Sequence, residues 1–316
     1  MLRISALAAC LTACVGGVSG TSGGGSSTHP DGGASQGDAS GSGSGSGGGL
    51  ESGSLAVSWM HGSADCTTNT DPEVQVHAYN ATVHIIRQNK CNTFEAPFVY
   101  VIEGDTSALV IDTGDTTTNT LRDTIRGLVP AKQLIVAHSH AHGDHHRGDA
   151  TWTGQPNATL VALTQSAIQA QFAIATWPTS QGTIDLGGRV LDVLAIPGHE
   201  AQHIAFYDRK TGLFFTGDTL YPGLLFISDW ATYRTSVHRL AQFAASHSIA
   251  YVLGAHIEMT STPKQVYPYG TRYQPAEHVL QLAAAKVGEL DAALTQLGAT
   301  PPASPVAYDD FVIDPQ

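Results

Sequence analysis

The 316-residue chain predicts an α/β fold. Short β-rich apolar runs bounded by turn residues recur from Val74 onward, and clusters of them are followed by stretches of helical spacing in two similar halves. Clusters of His and Asp stand at or just after the ends of several of these runs, where loops can bring distant parts of a chain together.

In the first half, Val83-His84-Ile85-Ile86, Phe98-Val99-Tyr100-Val101-Ile102 and Ala108-Leu109-Val110-Ile111 read as strands, because β-branched and aromatic residues dominate them. Gly104-Asp105 joins the last two as a hairpin turn. Residues 116–128 have helical spacing, with Leu121, Ile125 and Leu128 on one face and Pro130 as the stop. Residues 132–137 form the next strand.

In the second half, residues 159–163 read as a strand and 164–175 as a helix rich in Ala and Gln. Strands follow at 183–186, 190–196, 204–207 and 213–216, with Asp208-Arg209-Lys210-Thr211-Gly212 turning the last pair. Residues 232–245 are helical, 249–253 a strand, and 276–297 a long amphipathic helix before a Pro-rich tail. The folded part, about 250 residues, is within reach of one domain built on two sheets.

The two ends of the composition are informative. Met1-Leu2-Arg3 followed by an apolar run ending in small residues is patterned as a secretion signal, and it is too short to span a bilayer as a helix. Leu11-Thr12-Ala13-Cys14 resembles the lipobox of bacterial lipoproteins, which implies cleavage after residue 13, a lipid on Cys14 and a place in the bacterial cell envelope. Residues 15–54 are dominated by Gly and Ser and bury too little to offset chain entropy, so they read as a disordered tether, leaving 55–316 as the folded domain. The formal charge of −12, with 15 Lys and Arg thinly spread, argues against a nucleic-acid partner. Cys66 and Cys91, the two cysteines beyond the signal, read as a disulfide in an exported protein. The sequons at Asn80 and Asn157 carry no weight in a bacterial lipoprotein.

The strand at 132–137 runs directly into Ser139-His140-Ala141-His142-Gly143-Asp144-His145-His146. His140 and His142 come off an extended segment towards one ion, while a turn at Gly143 swings Asp144 and His145 towards a second. Imidazole and carboxylate together suit a borderline divalent ion such as zinc. Further along stand Pro197-Gly198-His199, Thr216-Gly217-Asp218 and Gly254-Ala255-His256, and upstream Asp112-Thr113-Gly114, each after a strand.

Taken in this order, the motifs resemble those of the metallo-β-lactamase-fold hydrolases over residues 75–260. The resemblance implies an αββα four-layer sandwich with metals at one edge between two sheets. It implies two Zn2+ ions, with Fe or Mn as alternatives: one held by His140, His142 and His199, the other by Asp144, His145 and His256, with Asp218 bridging. Asp112 is expected to accept a hydrogen bond from a ligand imidazole and fix its tautomer. His138, His146 and His203 fall beside the motifs but off the ligand register, and read as outer donors or solvated side chains.

Two zinc ions would make hydroxide available near neutral pH and polarise a carbonyl, with Asp144 orienting the nucleophile. Asp218 separates this chain from many true β-lactamases, which have Cys or Ser there, and aligns it with thioesterases and lactonases of the fold. Tyr221, three residues on, resembles the lactonase tyrosine whose hydroxyl donates to a developing oxyanion. Residues 259–274, with Tyr267, Tyr269 and Tyr273, are placed to wall a cleft, and Glu258 has no role that spacing requires. The expected substrate is a small ester, lactone or thioester. The rivals are an amide hydrolase, an iron redox enzyme of the same fold, and a non-catalytic metal-binding surface protein.

Overall fold

A computed structural model describes residues 49–316. The signal segment, Cys14 and residues 15–48 of the tether lie outside the described residues. The first sheet has the order β1-β2-β3-β4-β5-β6, from β1 (Val74–Asn80), β2 (Val83–Gln88), β3 (Phe98–Glu103), β4 (Ser107–Ile111), β5 (Gln133–Ala137) and β6 (Ala158–Leu160). The second has the order β13-β12-β10-β9-β8-β7, from β7 (Gln181–Asp185), β8 (Val190–Ala195), β9 (Ile204–Asp208), β10 (Leu213–Gly217), β12 (Tyr251–Gly254) and β13 (Gln281–Leu282). A third, small sheet places β15 (Val312–Pro315) between β11 (Leu224–Ile227) and β14 (Val306–Ala307).

Strict alternation explains the layering. In β3, Phe98, Tyr100 and Ile102 enter a core shared with the second sheet, while Val99 and Val101 face the helix α1 (Thr120–Leu128) through Leu121 and Ile125. In the second sheet Ile204, Phe206, Leu213 and Phe215 meet that central core, and Ala205, Tyr207 and Phe214 turn to α2 (Trp230–Ser246) and α3 (Ala285–Leu297). Period-two strands that are apolar on both faces need cover on both sides. Helix, sheet, sheet, helix is the result, the αββα sandwich. Among the described residues no helix is long and apolar enough to cross a membrane.

The strands meet at one edge. β4 pairs with β5 in parallel, and β10 with β12 in parallel, so Asp112 and His138–His140 emerge side by side, as do Asp218 and His256. Backbone bonds join the sheets there: Ile204 N–H to Ser139 O at 2.8 Å and Phe98 N–H to Ala255 O at 2.7 Å.

The structure corrects four sequence expectations. The helix expected over 276–297 begins only at Ala285, because Leu282 pairs with Val252 on the open edge of β12 as β13; tertiary pairing there outweighs the helical propensity of an Ala-rich run. The Pro-rich tail holds β14 and β15. The strand β11, which β15 pairs with in parallel, was not expected from the sequence. The chain joins the domain before residue 55, since Glu51 N–H already donates to Lys210 O at 2.8 Å and Ser54 N–H to Tyr79 O at 2.7 Å.

Cys66 and Cys91 form a disulfide across 25 residues of sequence. Its closure of that loop is worth about 3 kcal/mol in the chain-entropy model. Reduction is therefore expected to lower the urea midpoint; a midpoint unmoved by reductant contradicts this.

Candidate metal centre

The edge loops bring all seven expected side chains together. His140 Nε2, His142 Nδ1 and His199 Nε2 lie 2.9–3.2 Å from one another. His145 Nε2 and His256 Nε2 lie 3.1 and 3.3 Å from Asp144 Oδ2, and 3.3 Å from each other. Asp218 spans the two groups, with Oδ2 at 3.8, 3.7 and 3.5 Å from His140, His199 and His145, and Oδ1 at 3.5 Å from His256.

These separations test whether a metal fits. Nitrogens bound tetrahedrally to zinc at about 2.05 Å stand about 3.3 Å apart. The two triads come close to that spacing, and no protein donor satisfies the buried Asp218 Oδ1. Three imidazole nitrogens converging on one point are otherwise a repulsive arrangement of lone pairs. The donor set fits divalent cations.

Charge agrees with geometry. Burial would raise Asp218, but His256, His145 and His140 outweigh it and hold the carboxylate well below its usual range. Asp144 is likewise pushed down, His145 and His256 prevailing over burial. Burial works against charge on His145 and on His256, yet the surrounding carboxylates carry both well above the usual imidazole value. His140 and His199 are pushed down, chiefly by burial. The pocket stabilises positive charge on the Asp144 side and neutral imidazole on the other.

Outer partners fix the tautomers. His145 Nδ1 donates to Asp112 Oδ2 at 2.9 Å, while Asp112 Oδ1 accepts Ser139 N–H at 2.7 Å. Asp112 adopts φ +73°, a left-handed conformation that aspartate tolerates better than most residues, and this aims its carboxylate under the loop. His199 Nδ1 donates to Phe226 O at 2.7 Å and His256 Nδ1 to Glu95 O at 3.1 Å. In each case Nε2 is left for an ion. His138 instead bonds Asp149 at 2.8 Å, and it takes no part in either triad.

Residues 92–256, more than half of the chain, match the Metallo-beta-lactamase superfamily. The chain belongs to that superfamily. As a member it is a metal-dependent hydrolase. It is 28% identical over 204 residues to a hydroxyacylglutathione hydrolase of Dechloromonas aromatica, covering 63% of this chain and 71% of that protein. A hydroxyacylglutathione hydrolase of Hahella chejuensis is 29% identical over 52% of this chain and 62% of its own length. Among solved structures, a metallo-beta-lactamase from Pontibacter korlensis aligns with 19% identity and a TM-score of 0.48, over 70% of this chain and 99% of that one.

Beside Asp144 this superfamily member opens a cleft of about 740 Å³, lined among others by Phe94, Glu95, Arg147, Tyr269 and Arg272. Of the three tyrosines expected to wall it, only Tyr269 does so; Tyr267 accepts the Ala276 N–H and Tyr273 packs near His61. Tyr221 also departs from expectation. It is 1% exposed, and its hydroxyl lies between Leu224 O and Glu258 Oε2, which is 3.0 Å away. Its ring packs 5.6 Å from that of His256. With its proton engaged there, the hydroxyl is not free to donate to an oxyanion, and it is the ring alone that packs near His256. Tyr221→Phe is expected to lower kcat less than about tenfold, where loss of an oxyanion donor costs about 100-fold or more; steady-state kinetics separate the two.

The carbonyls of Phe226 and Glu95 were beyond sequence reasoning, since any residue can offer one. Glu258 had no signal either, yet it is half-buried, accepts Leu224 N–H at 2.8 Å, and is pushed up by desolvation.

Proposed function

We propose that the chain is a dinuclear zinc hydrolase of small esters, lactones or thioesters. In this reading His140, His142 and His199 hold one ion, Asp144, His145 and His256 the other, and Asp218 lies between them. The observation that carries it is the pair of converging triads sharing one buried carboxylate, opening beside Asp144 onto a substrate-sized cleft. The nitrogen-rich donor set favours zinc over manganese or iron. Bound there, a cation pair supplies Lewis acidity and a hydroxide nucleophile near neutral pH.

The chain's own residues set the rest. Asp144 lines the cleft as an ionised carboxylate and can accept a hydrogen bond from attacking water, orienting it. Asp112, Phe226 O and Glu95 O keep the imidazoles from rotating. Phe94 and Tyr269, packed edge-to-face at 5.0 Å, give the cleft an aromatic wall.

The carboxylates of Glu73, Glu95, Asp115 and Asp144 face the cleft against the guanidinium groups of Arg147 and Arg272, and Arg147 is already paired with Asp115 at 2.8 Å. That balance favours a neutral polar substrate over one bearing two carboxylates. A glutathione thioester is the second reading, supported by the relatives named above and by Arg272, which lines the cleft. Of the other basic residues in the C-terminal region, Lys264 lies 3.7 Å from Asp309 and Lys286 pairs with Glu289 and Asp310.

Metal analysis of the purified chain, with a panel of lactones, simple thioesters, glutathione thioesters, β-lactams and phosphodiesters, tests both readings. Two zinc ions per chain with turnover of neutral lactones or thioesters supports the first. Iron with no hydrolysis of any panel member removes it in favour of redox chemistry. We further propose attachment to the bacterial cell envelope through a lipidated Cys14; a soluble protein whose amino-terminal peptide carries no acyl mass would refute that.

A further inference from the structure

We propose that His203, outside both triads, is the positioning residue for Asp218: its ring sits among the imidazoles of one triad and takes the Asp218 backbone N–H. The proposal rests on the reading of Asp218 as the shared ligand. His203 is wholly buried, in the turn just before β9. Its ring stacks on His140 with centroids 4.7 Å apart and 24° between planes, and meets His199 edge-on at 5.6 Å and 84°. Nε2 lies 3.2 Å from Asp218 N.

That contact has a definite polarity. A backbone N–H only donates, so Nε2 must be the unprotonated nitrogen and the ring proton sits on Nδ1, facing Thr219 Oγ1 at 3.5 Å. With Nε2 committed, His203 is not an eighth ligand. The backbone packs closely around it. Gly217 turns at φ +50°, and a Cβ there would stand 2.9 Å from both His203 Nε2 and Cε1 and 2.8 Å from Ser139 Cβ. The turn at residues 216–219, closed by Thr219 N–H on Thr216 O at 3.1 Å, is thus shaped around the imidazole. One side chain fixes the backbone of the shared carboxylate and packs against two ligands of the first triad.

The outer partner's contribution to metal affinity is expected at about 10- to 100-fold. His203→Gln retains an acceptor at the distance of Nε2, whereas His203→Leu keeps volume and loses the acceptor. Zinc stoichiometry and chelator competition are measured on all three proteins, with circular dichroism as the check on folding. The expected result is weaker binding in His203→Leu by about that factor, and recovery of most of it in His203→Gln. Equal binding in a folded His203→Leu overturns the role, as does a His203→Gln variant no better than Leu. A wild-type chain that binds no zinc sinks the ligand reading instead, and this role with it. Nitrogen-15 shifts of the wild-type ring provide a test that needs no variant: a proton on Nδ1 is expected, and a proton on Nε2 overturns the proposal.

Discussion

Replacing Asp218 by asparagine is expected to lower kcat by about 10³-fold, equivalent to about 4 kcal/mol of transition-state stabilisation, with the fold intact. The change is isosteric and leaves the backbone contact with His203 Nε2 in place. What it removes is the one charge within 3.8 Å of four of the imidazoles proposed as ligands. An amide is a weaker ligand than a carboxylate, and it does not balance cationic charge. Metal content should therefore fall along with turnover, while circular dichroism stays unchanged. A variant that retains both ions and full turnover would show that the two triads act independently of the carboxylate between them.

The sequence carried most of the ligand set because four of its members are local. His140, His142, Asp144 and His145 share one turn, so their spacing alone signals a metal. His199, Asp218 and His256 are distant in sequence, and they became legible only through the resemblance of their short motifs, in that order, to the metallo-β-lactamase-fold hydrolases. The layers came from the same resemblance; the residues themselves show only that 98–102 and 204–207 are apolar throughout, as strands covered on both faces are. What escaped was set by partners rather than by pattern. Gln281 and Leu282 extend because β12 has a free edge, which no local propensity encodes. The last strand forms because Phe311, Val312 and Ile313 find burial near β11. His203 sat in view beside His199, but its role depends on an N–H fifteen residues downstream. Tyr221 stood at the lactonase offset, while the group that turned its hydroxyl away, Glu258, lies 37 residues further on.

The largest loss of stability is expected at the opposite end of the same sheet. Arg189, just before β8, and Asp208, the last residue of β9, are 1% and 0% exposed and form a two-pronged pair at 3.1 and 2.5 Å. The remaining guanidinium nitrogen crosses to the first sheet, donating to Thr82 Oγ1 at 2.8 Å and Glu103 O at 2.9 Å. Asp208 also accepts Lys210 N–H and Thr211 N–H at 3.2 Å each, closing the turn into β10. Asp208→Ala strands a buried cation and should cost about 3–5 kcal/mol. In a domain of this size that corresponds to a fall of roughly 10 °C in Tm. The pair lies at the ends of β8 and β9 remote from His199 and His203, so kcat per folded molecule should hold at permissive temperature. A double replacement, Arg189→Met with Asp208→Leu, should lose less than Asp208→Ala alone, because it removes the uncompensated charge as well as the partner. If the double variant is the less stable of the two, the junction between the sheets depends on the hydrogen bonds to Thr82 and Glu103 rather than on the charge pair.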